Sequence, residues 1–395
     1  MRDIAKLLSK NVSLSLVCKL IGLVFSILIV SLATDRSNVL LQQILLFQVS
    51  IGYFSIFDMG VPSHLKSKAY NGGSNNSFVW LVWLALLALI FSTLAYAVSA
   101  TMFKSIDTNA TVAAIVGAIF IKFAIGYLQS NYYFASSYVI QIWIPFLLVI
   151  YLLSFEVLSF MTFYTFILAF CVVLIIVFIR ATRSSLWKIS AMSFQDLRGG
   201  MAFFGAQVLT VLVFGLHEYI FLLSGQTYLG WSIESRYYLF ISALGPVISN
   251  LFWAYLPHTT AIQSLKILFI TIAALVVWGC LVLVFRDEFF DLFWTEHKNS
   301  ITATEGLFIW VYYISHTVCL FVSGYLYAVR KEHTVFWTLC ILCVVRAATL
   351  NADLVGMEKL TIYQSNSILG AAGFVLFISV YTHHFIRENR KAKAI

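Results

Sequence analysis

The stretch Met201–Ser224, MAFFGAQVLTVLVFGLHEYIFLLS, decides the fold. It is nearly all apolar and about two dozen residues long, enough for a helix to cross a hydrocarbon core of roughly 30 Å. It nevertheless contains Glu218, and an ionisable side chain at that depth must face a polar cavity or a partner. Gln207 and Thr210 fall on the same side of the predicted helix as Glu218. The stretch therefore predicts a membrane helix with one polar face.

The composition extends this interpretation to the whole chain. Of its 395 residues, 61% are hydrophobic and 11% are charged, whereas soluble domains average about 25% charged residues. The sequence therefore predicts an all-α polytopic membrane protein, with Pro145 interrupting the fifth helix and Pro246 the eighth. Its apolar runs predict about twelve transmembrane helices, at about 12–33, 39–57, 78–102, 110–130, 138–155, 160–180, 201–224, 237–256, 264–285, 305–328, 334–352 and 362–386.

The basic residues predict the orientation of these helices. Most of the 25 Lys and Arg residues fall in segments that are cytoplasmic if both termini lie inside, as the positive-inside rule requires. Membrane topology therefore accounts for the net charge of +8, and no nucleic-acid partner is expected.

The predicted helices divide into two halves at the chain midpoint. Residues 1–180 form a six-helix half, residues 181–200 a basic amphipathic connector on the cytoplasmic leaflet, and residues 201–395 a second six-helix half. A faint internal repeat supports the division, because Pro62 and Pro257 follow the second and the eighth predicted helix. This arrangement predicts a duplicated transporter with its substrate site between the halves.

Motifs for enzymatic chemistry are missing from the sequence. It has no G-x-x-x-x-G-K-[ST], H-E-x-x-H or G-x-S-x-G pattern, so neither a P-loop, a zinc-protease site nor a serine-hydrolase elbow is expected. All six cysteines lie in apolar runs and are predicted to be small core residues rather than disulfides or metal ligands. We therefore expect a protein that is not an enzyme, with no catalytic residue, metal or bound cofactor.

Three cations lie deep in predicted helices: Lys19 in the first, Lys122 in the fourth and Arg346 in the eleventh. For Lys19 there are two interpretations. Its long side chain either snorkels to the cytoplasmic surface or lines a cavity. The second interpretation is supported by a polar stripe, since Ser15 and Ser26 follow the same side of the predicted helix.

The other two cations have alternatives of the same kind. Lys122 either forms a structural pair with Glu218 or faces a cargo, and Arg346 is either held by Asp353 or faces the cargo as well. The three cations outnumber the single deep acid, and lipid gives no reason for such an excess. A phosphate-bearing cargo does, because Lys and Arg bind phosphate by charge-assisted hydrogen bonds. The pyrophosphate of a polyprenyl-linked sugar is a membrane-borne group of this kind.

Tyrosine pairs occur near the predicted helix ends. They are Tyr132–Tyr133, Tyr237–Tyr238 and Tyr312–Tyr313. Such residues are typical of the aromatic belt at the membrane–water interface. Stacking against sugar rings is the alternative.

Three segments resemble one family of transporters. They are Phe57–Lys68, FDMGVPSHLKSK, with an acid and a glycine after the second helix; His217–Gly225, HEYIFLLSG, at the end of the seventh; and Tyr237–Pro257, an eighth helix that ends in proline. In this order they resemble the Wzx-type polysaccharide flippases of the multidrug/oligosaccharidyl-lipid/polysaccharide (MOP) exporter superfamily. The length and the division at the middle are similar to the family as well.

The resemblance implies a MATE-like fold that translocates undecaprenyl-pyrophosphate-linked oligosaccharide, an O-antigen or related repeat unit, between leaflets. The direction is from the cytoplasmic to the periplasmic side of the bacterial inner membrane, by alternating access coupled to a proton or sodium gradient. Asp58 and Glu218 stand at the family's acidic positions, as coupling or gating residues. The resemblance does not fix Lys19, Lys122 and Arg346, which remain our candidates for binding the pyrophosphate. The lipid bilayer, a polysaccharide polymerase and a chain-length regulator are the other partners expected.

Two other functions remain open. A membrane-embedded polysaccharide polymerase of the same pathway would be similarly long and tyrosine-rich. Such enzymes carry an extended basic outer loop, whereas the longest outer loop predicted here, at about 286–304, is acidic. A multidrug or cation antiporter of the superfamily needs unpaired acids in its site, whereas the deep charges here are mostly positive.

Overall fold

The computed structural model describes residues 2–34, 55–71, 77–102, 108–154, 194–215, 229–255, 261–295, 298, 301–351 and 361–393. Within these ranges the regular structure is helical, with no strand. This agrees with the all-α class that the composition predicts.

Internal contacts divide the chain into two compact units. Residues 24–208 form the first unit, and residues 1–23 together with 209–395 form the second unit. Helix α1, Arg2–Thr34, contributes residues to both. The two predicted halves are defined by the order of the apolar runs along the sequence, whereas these units are defined by internal contacts. The two six-helix halves therefore stay a prediction.

Tryptophan and phenylalanine side chains form the core of the first unit. Helices α3 and α4 pack side by side there around Trp80, Ile119 and Phe123, each at most 1% exposed. On the outer side of α3 Leu89 is exposed, as is typical of side chains that face lipid. The elements after α1 are a 3₁₀ turn at Ser55–Asp58, α2 at Val61–Tyr70, α3 at Ser77–Met102, α4 at Thr108–Ser130, α5 at Phe134–Ser154 and α6 at Phe194–Thr210.

Helix α2 begins at a sharp turn of the backbone. Gly60 has a φ of 67°, a left-handed conformation that glycine adopts without steric cost. Pro62 follows in the first turn of the helix, where its missing N–H leaves no bond unmade. The side chains of Val61, Leu65 and Tyr70 are buried, and α2 packs on α4.

A turn at Ala243 separates two helices of the second unit. The ring of a proline clashes with the carbonyl four residues earlier, and for Pro246 that carbonyl belongs to Ser242, the last residue of α7. The interruption predicted at Pro246 is therefore confirmed, whereas the one predicted at Pro145 is wrong, because α5 continues through that residue. The elements of this unit after α1 are a π turn at Val211–Gly215, α7 at Leu229–Ser242, α8 at Leu244–Tyr255, α9 at Ala261–Val284, α10 at Arg286–Phe293, α11 at Ala303–Ala328, α12 at Glu332–Leu350 and α13 at Ile362–Lys393.

Helix α11 is central to the second unit. A capping box begins it, because Thr302 Oγ1 accepts a hydrogen bond from the backbone N–H of Glu305, whose carboxylate accepts one from the N–H of Thr302. Val318, Phe321 and Val322 are fully buried. The helix packs against α7, α8 and α13, so the buried side chains of α11 hold several neighbours together.

The described residues include seven helices that are long and apolar enough to cross a membrane, together with three shorter apolar helices. The predicted helices at about 39–57 and 160–180 lie outside the described residues, apart from the 3₁₀ turn at the end of the former. Helix α6 begins at Phe194, so the last residues of the predicted connector are its first turns. The number of about twelve helices and the cytoplasmic termini stay predictions.

Candidate functional site

Asp58 is buried at the end of the 3₁₀ turn, with 1% of its surface exposed. The backbone N–H of Gly60 donates a hydrogen bond of 2.7 Å to its Oδ1. Among the described residues its Oδ2 has no hydrogen-bond partner, although the Gln207 side chain is close enough to favour the charged form. The turn therefore holds a carboxylate inside the protein, with the Gly60 N–H on one oxygen and the Gln207 side chain nearby.

Lys66 points into the same region from α2. Its Nζ donates a hydrogen bond of 3.1 Å to Gln129 Oε1, and Gln129 Nε2 donates one of 3.2 Å to Ser137 Oγ. One helical turn after Lys66, the Tyr70 hydroxyl donates to the backbone carbonyl of Gln129 at 2.9 Å. The lysine is only 7% exposed, so this network replaces the water that its ammonium group has lost.

Lys122 completes the group from α4. It lies two helical turns before Gln129 and therefore on the same face of the helix. Its charge acts on both Asp58 and Lys66. We call Asp58, Lys66, Lys122, Gln129 and Gln207 the Asp58 cluster. It contains two basic groups and one acid.

Burial changes the protonation of two members that lie between the predicted helices. It raises the pKa of Asp58 to about 6, against the opposing influence of Lys122, the Gly60 N–H, Gln207 and Lys66. Burial and the charge of Lys122 lower the pKa of Lys66 to about 7, against the attraction of Asp58. Both groups therefore change charge close to neutral pH.

Arg346 is buried in the second unit among neutral groups. One guanidinium nitrogen donates to Ser365 Oγ at 3.1 Å and to Asn366 Oδ1 at 2.6 Å, and Ser365 Oγ donates to Thr349 Oγ1 at 2.9 Å. Its other terminal nitrogen is buried without a partner, and no carboxylate contacts it in the described part of the chain. The suggested partner Asp353 lies outside the described residues.

Lys19 lies on the protein-facing side of α1. Ser15, one turn earlier, is fully buried, and Lys19 and Ser26 are half-buried. Val17 and Val24 on the opposite side are each 50% exposed. The polar stripe read from the sequence therefore faces the protein interior.

Glu218 lies outside the described residues, so its role and its pairing with Lys122 stay predictions. The described residues contain no group of three His, Cys, Asp or Glu side chains that could hold a metal ion. All five cysteines that the structure describes are free thiols.

The aromatic-belt interpretation is wrong for two of the three tyrosine pairs. Tyr237–Tyr238 and Tyr312–Tyr313 are buried, each ring at most 4% exposed, because they pack against one another inside the second unit. Tyr132 and Tyr133 are exposed, as expected for residues of a belt.

The sequence analysis missed two buried charges. Lys66 was counted as a cytoplasmic topology signal, although its spacing from Tyr70 on a short helix could have indicated a common buried face. Glu234 is fully buried and accepts two hydrogen bonds from Arg286, one of them of 3.0 Å from a terminal nitrogen. Nothing local to Glu234 in the sequence indicates this partner, which comes from the start of α10.

Among the described residues, Lys66 and Lys122 thus accompany a single acid in the Asp58 cluster, and Arg346 contacts only neutral groups. A buried guanidinium or ammonium group of this kind can bind a phosphate oxygen through a charge-assisted hydrogen bond, which is strong where water is excluded. Asp58 can also take up and release a proton near neutral pH.

Comparisons with known proteins show which solved structures share this fold. No family model and no curated protein sequence match the chain. The eukaryotic MATE transporter AtDTX14 superposes with a TM-score of 0.65 at 16% identity, over 99% of this chain and 98% of that one. A multidrug resistance MATE family transporter of the MOP superfamily in its outward-facing conformation gives 0.66 at 11%, over 96% and 98%.

A third solved structure is a MOP superfamily transporter from Pyrococcus furiosus, for which a binding pocket of reversed polarity suggests a different function. It superposes with a TM-score of 0.63 at 12% identity, over 96% of each chain. The likeness extends along nearly the whole of every chain compared. The protein is therefore a multi-pass membrane protein with the fold of the MATE transporters of the MOP superfamily.

Proposed function

We propose that the protein is a transporter of the MOP superfamily that flips an anionic lipid-linked cargo, the undecaprenyl-pyrophosphate-linked oligosaccharide of a surface polysaccharide. The transport runs from the cytoplasmic to the periplasmic leaflet of the bacterial inner membrane. The observation that carries the proposal is the Arg346 guanidinium, which is buried among neutral groups and has one nitrogen without a hydrogen-bond partner among the described residues.

A buried cation without a counter-charge is costly, and such residues in membrane helices usually mark a substrate path. Ser365 and Asn366 orient the guanidinium of Arg346 but do not neutralise it. A pyrophosphate oxygen would supply the missing charge and bind the free nitrogen.

The Asp58 cluster supports the same cargo. Lys66 and Lys122 outnumber Asp58, so the cluster carries a net positive charge when all three are ionised. Lys19, on the protein-facing side of α1, adds a further cation. We assign Lys19, Lys122 and Arg346 to cargo binding, and Asp58 and Glu218 to coupling with a proton or sodium gradient during alternating access. A polysaccharide polymerase and a chain-length regulator are the proposed protein partners.

Multidrug export is the second candidate, and the fold comparison favours it, because one similar structure is a multidrug resistance transporter. Cationic drugs need acids in their binding site, whereas Lys66 and Lys122 outnumber Asp58 in its cluster and Arg346 contacts no carboxylate among the described residues. The Pyrococcus furiosus transporter supports the view that this fold accommodates a pocket of altered polarity. The likeness to transporters also favours transport over the polymerase alternative.

The test is a flipping assay with the purified protein in liposomes. A fluorescent undecaprenyl-pyrophosphate sugar is added, and dithionite quenching reports the outer-leaflet fraction over time. We expect the wild type to move the lipid, and Arg346→Gln to slow it at least about tenfold, the effect of losing one charge-assisted contact. Lys266→Gln, at an exposed position of α9, is the matched control and should retain the wild-type rate.

Two results would contradict the proposal. Efflux of ethidium without any lipid flipping would favour multidrug export. Equal flipping rates for Arg346→Gln and the wild type would remove Arg346 from the cargo site.

A further inference from the structure

We propose that a pocket of about 340 Å³ at one end of the second unit binds a neutral sugar ring. The pocket lies where α9 ends and α11 begins, next to α7. Its volume is at the lower end of the range for small-molecule sites, about 300–1,000 Å³. The residues that carry the inference are Tyr238, Arg286, Asp287, Lys298, Ile301 and Gly306.

The Tyr238 hydroxyl is the first observation. The side chain is fully buried and lines the pocket, yet its hydroxyl has no hydrogen-bond partner in the described part of the chain. A Cβ on Gly306 would lie 3.6 Å from this oxygen and 3.8 Å from Ile301 Cδ1. The glycine therefore leaves space beside the hydroxyl. Since buried hydroxyls are almost always hydrogen-bonded, the oxygen indicates a ligand group that is both donor and acceptor.

The charges of the pocket disfavour an anionic ligand. Arg286 donates to both carboxylate oxygens of Glu234, to Asp287 and to the backbone carbonyl of Lys298. The Lys298 ammonium donates to Asp291 at 2.6 Å. Both cations are thus already paired, so the wall offers no uncompensated positive charge to a phosphate.

The remaining surface fits the two sides of a sugar. Asp287, whose side chain is 65% exposed, can accept hydrogen bonds from ring hydroxyls at the mouth of the pocket. Leu283, Val284 and Ile301 provide an apolar wall for the C–H face of the ring. The Tyr238 ring is fixed by stacking on Tyr313, with 6.4 Å between centroids, so its hydroxyl keeps a constant position.

The inference that the ligand is a sugar depends only on this pocket. The further statement that this sugar is part of the transported cargo rests on the proposed function. The pocket contains none of the cations assigned above to the pyrophosphate. A complete cargo would therefore be held at two chemically different places, its phosphates by the cations assigned to the pyrophosphate and one of its sugars here.

The test measures binding of free sugars to the full-length protein in lipid nanodiscs, which avoids sugar-based detergents. Saturation-transfer NMR is recorded with N-acetylglucosamine, galactose and rhamnose as probes, and with sodium phosphate as competitor. We expect at least one sugar to bind and phosphate not to displace it. Tyr238→Phe should weaken that binding about three- to tenfold, the usual effect of losing one hydrogen bond, and Gly306→Val should abolish it by filling the space.

The matched control is Tyr381→Phe, which removes another buried hydroxyl that has no hydrogen-bond partner among the described residues and lies outside the pocket. It should bind sugar like the wild type. Thermal unfolding of both phenylalanine variants checks that they are folded. Binding of none of the three sugars, unchanged binding by Tyr238→Phe, or displacement by phosphate would each overturn the inference. Failure of lipid flipping with sugar binding intact would overturn only the proposed function.

Discussion

The backbones of Gly60 and Gly200 touch, leaving no room for a side chain on either residue. A Cβ on Gly200 would lie 2.8 Å from the carbonyl oxygen of Met59, and one on Gly60 would lie 2.6 Å from the backbone nitrogen of Phe204. The His64 ring fills the space beside Gly199 in the same way. This contact fixes the start of α2, and with it Asp58 and Lys66, against α6.

Substituting either glycine of this contact should destabilise the first unit. Gly200→Ala forces backbone against backbone, which costs about 1–3 kcal/mol. Gly60→Ala should cost more, because alanine is also strained at a φ of 67°. The measurement is thermal unfolding of the purified protein in detergent. Gly306→Ala, whose Cβ would meet only ordinary contacts, is the control, and a loss of stability as large there as at Gly200 would contradict this explanation.

Because of Asp58 and Lys66, the free energy of unfolding of the protein should pass through a minimum near pH 6–7. The pKa of Asp58 is raised in the folded protein, so folding binds a proton there and stability falls as the pH rises from about 4 to about 6. The pKa of Lys66 is lowered, so stability rises again from about pH 7 to its ordinary pKa near 10.5. Each change amounts to a few kcal/mol at most.

Single substitutions separate these two effects. Asp58→Asn should remove the fall on the acidic side, and Lys66→Met the rise on the basic side. Unfolding temperatures measured between pH 4 and pH 10 check both variants. Lys68→Met, two residues after Lys66 on α2, is the control and should leave the pH profile unchanged. A flat profile for the wild type would show that neither group has the protonation inferred here.

Arg346→Leu should abolish lipid flipping without lowering stability. Arg346 contacts no carboxylate among the described residues, so replacing this buried cation by an apolar residue removes its desolvation cost, and the unfolding temperature should stay the same or rise. The unfolding temperature and the flipping rate are measured on the same preparation. A large loss of stability would indicate instead that the guanidinium serves to hold Ser365 and Asn366 in place.

The ion pair between Glu234 and Arg286 should stabilise the second unit. Glu234→Gln leaves the guanidinium without its main partner and should cost about 3–5 kcal/mol, as for other buried pairs broken on one side. Asp287→Asn breaks a contact to a carboxylate that is largely exposed and should cost less than about 1 kcal/mol. Chemical unfolding of the two variants tests the ranking, and equal losses would refute it.

Features that depend on local sterics and composition could be predicted from the sequence. The apolar runs locate some helices to within a few residues, as for α11, predicted at about 305–328 and observed at Ala303–Ala328, whereas α1 begins ten residues before its predicted start. The break before Pro246 follows from a clash within one helical turn. Lys122 and Gln129 could be assigned to one face because helical spacing alone decides it.

Features that depend on distant parts of the chain could not be predicted. Lys66 is buried because α2 packs on α4, and counting charges by loop cannot reveal such packing. The tyrosines of α7 and α11 were misjudged for the same reason, since position near a helix end does not decide which way a ring faces. The pairing of Glu234 with Arg286 joins two helices whose order in the sequence indicates no contact.

Most of α6 belongs to the first unit, and this has a consequence for how the protein is synthesised. Its residues up to Val208 belong to the first unit, although α6 follows the midpoint connector in the sequence. During synthesis Gly60 therefore has no backbone to pack against until α6 has left the ribosome and entered the membrane. A chain truncated inside the connector would lack Gly200 and Gln207, so Gly60 and Asp58 would be without the α6 residues that they meet in the folded protein.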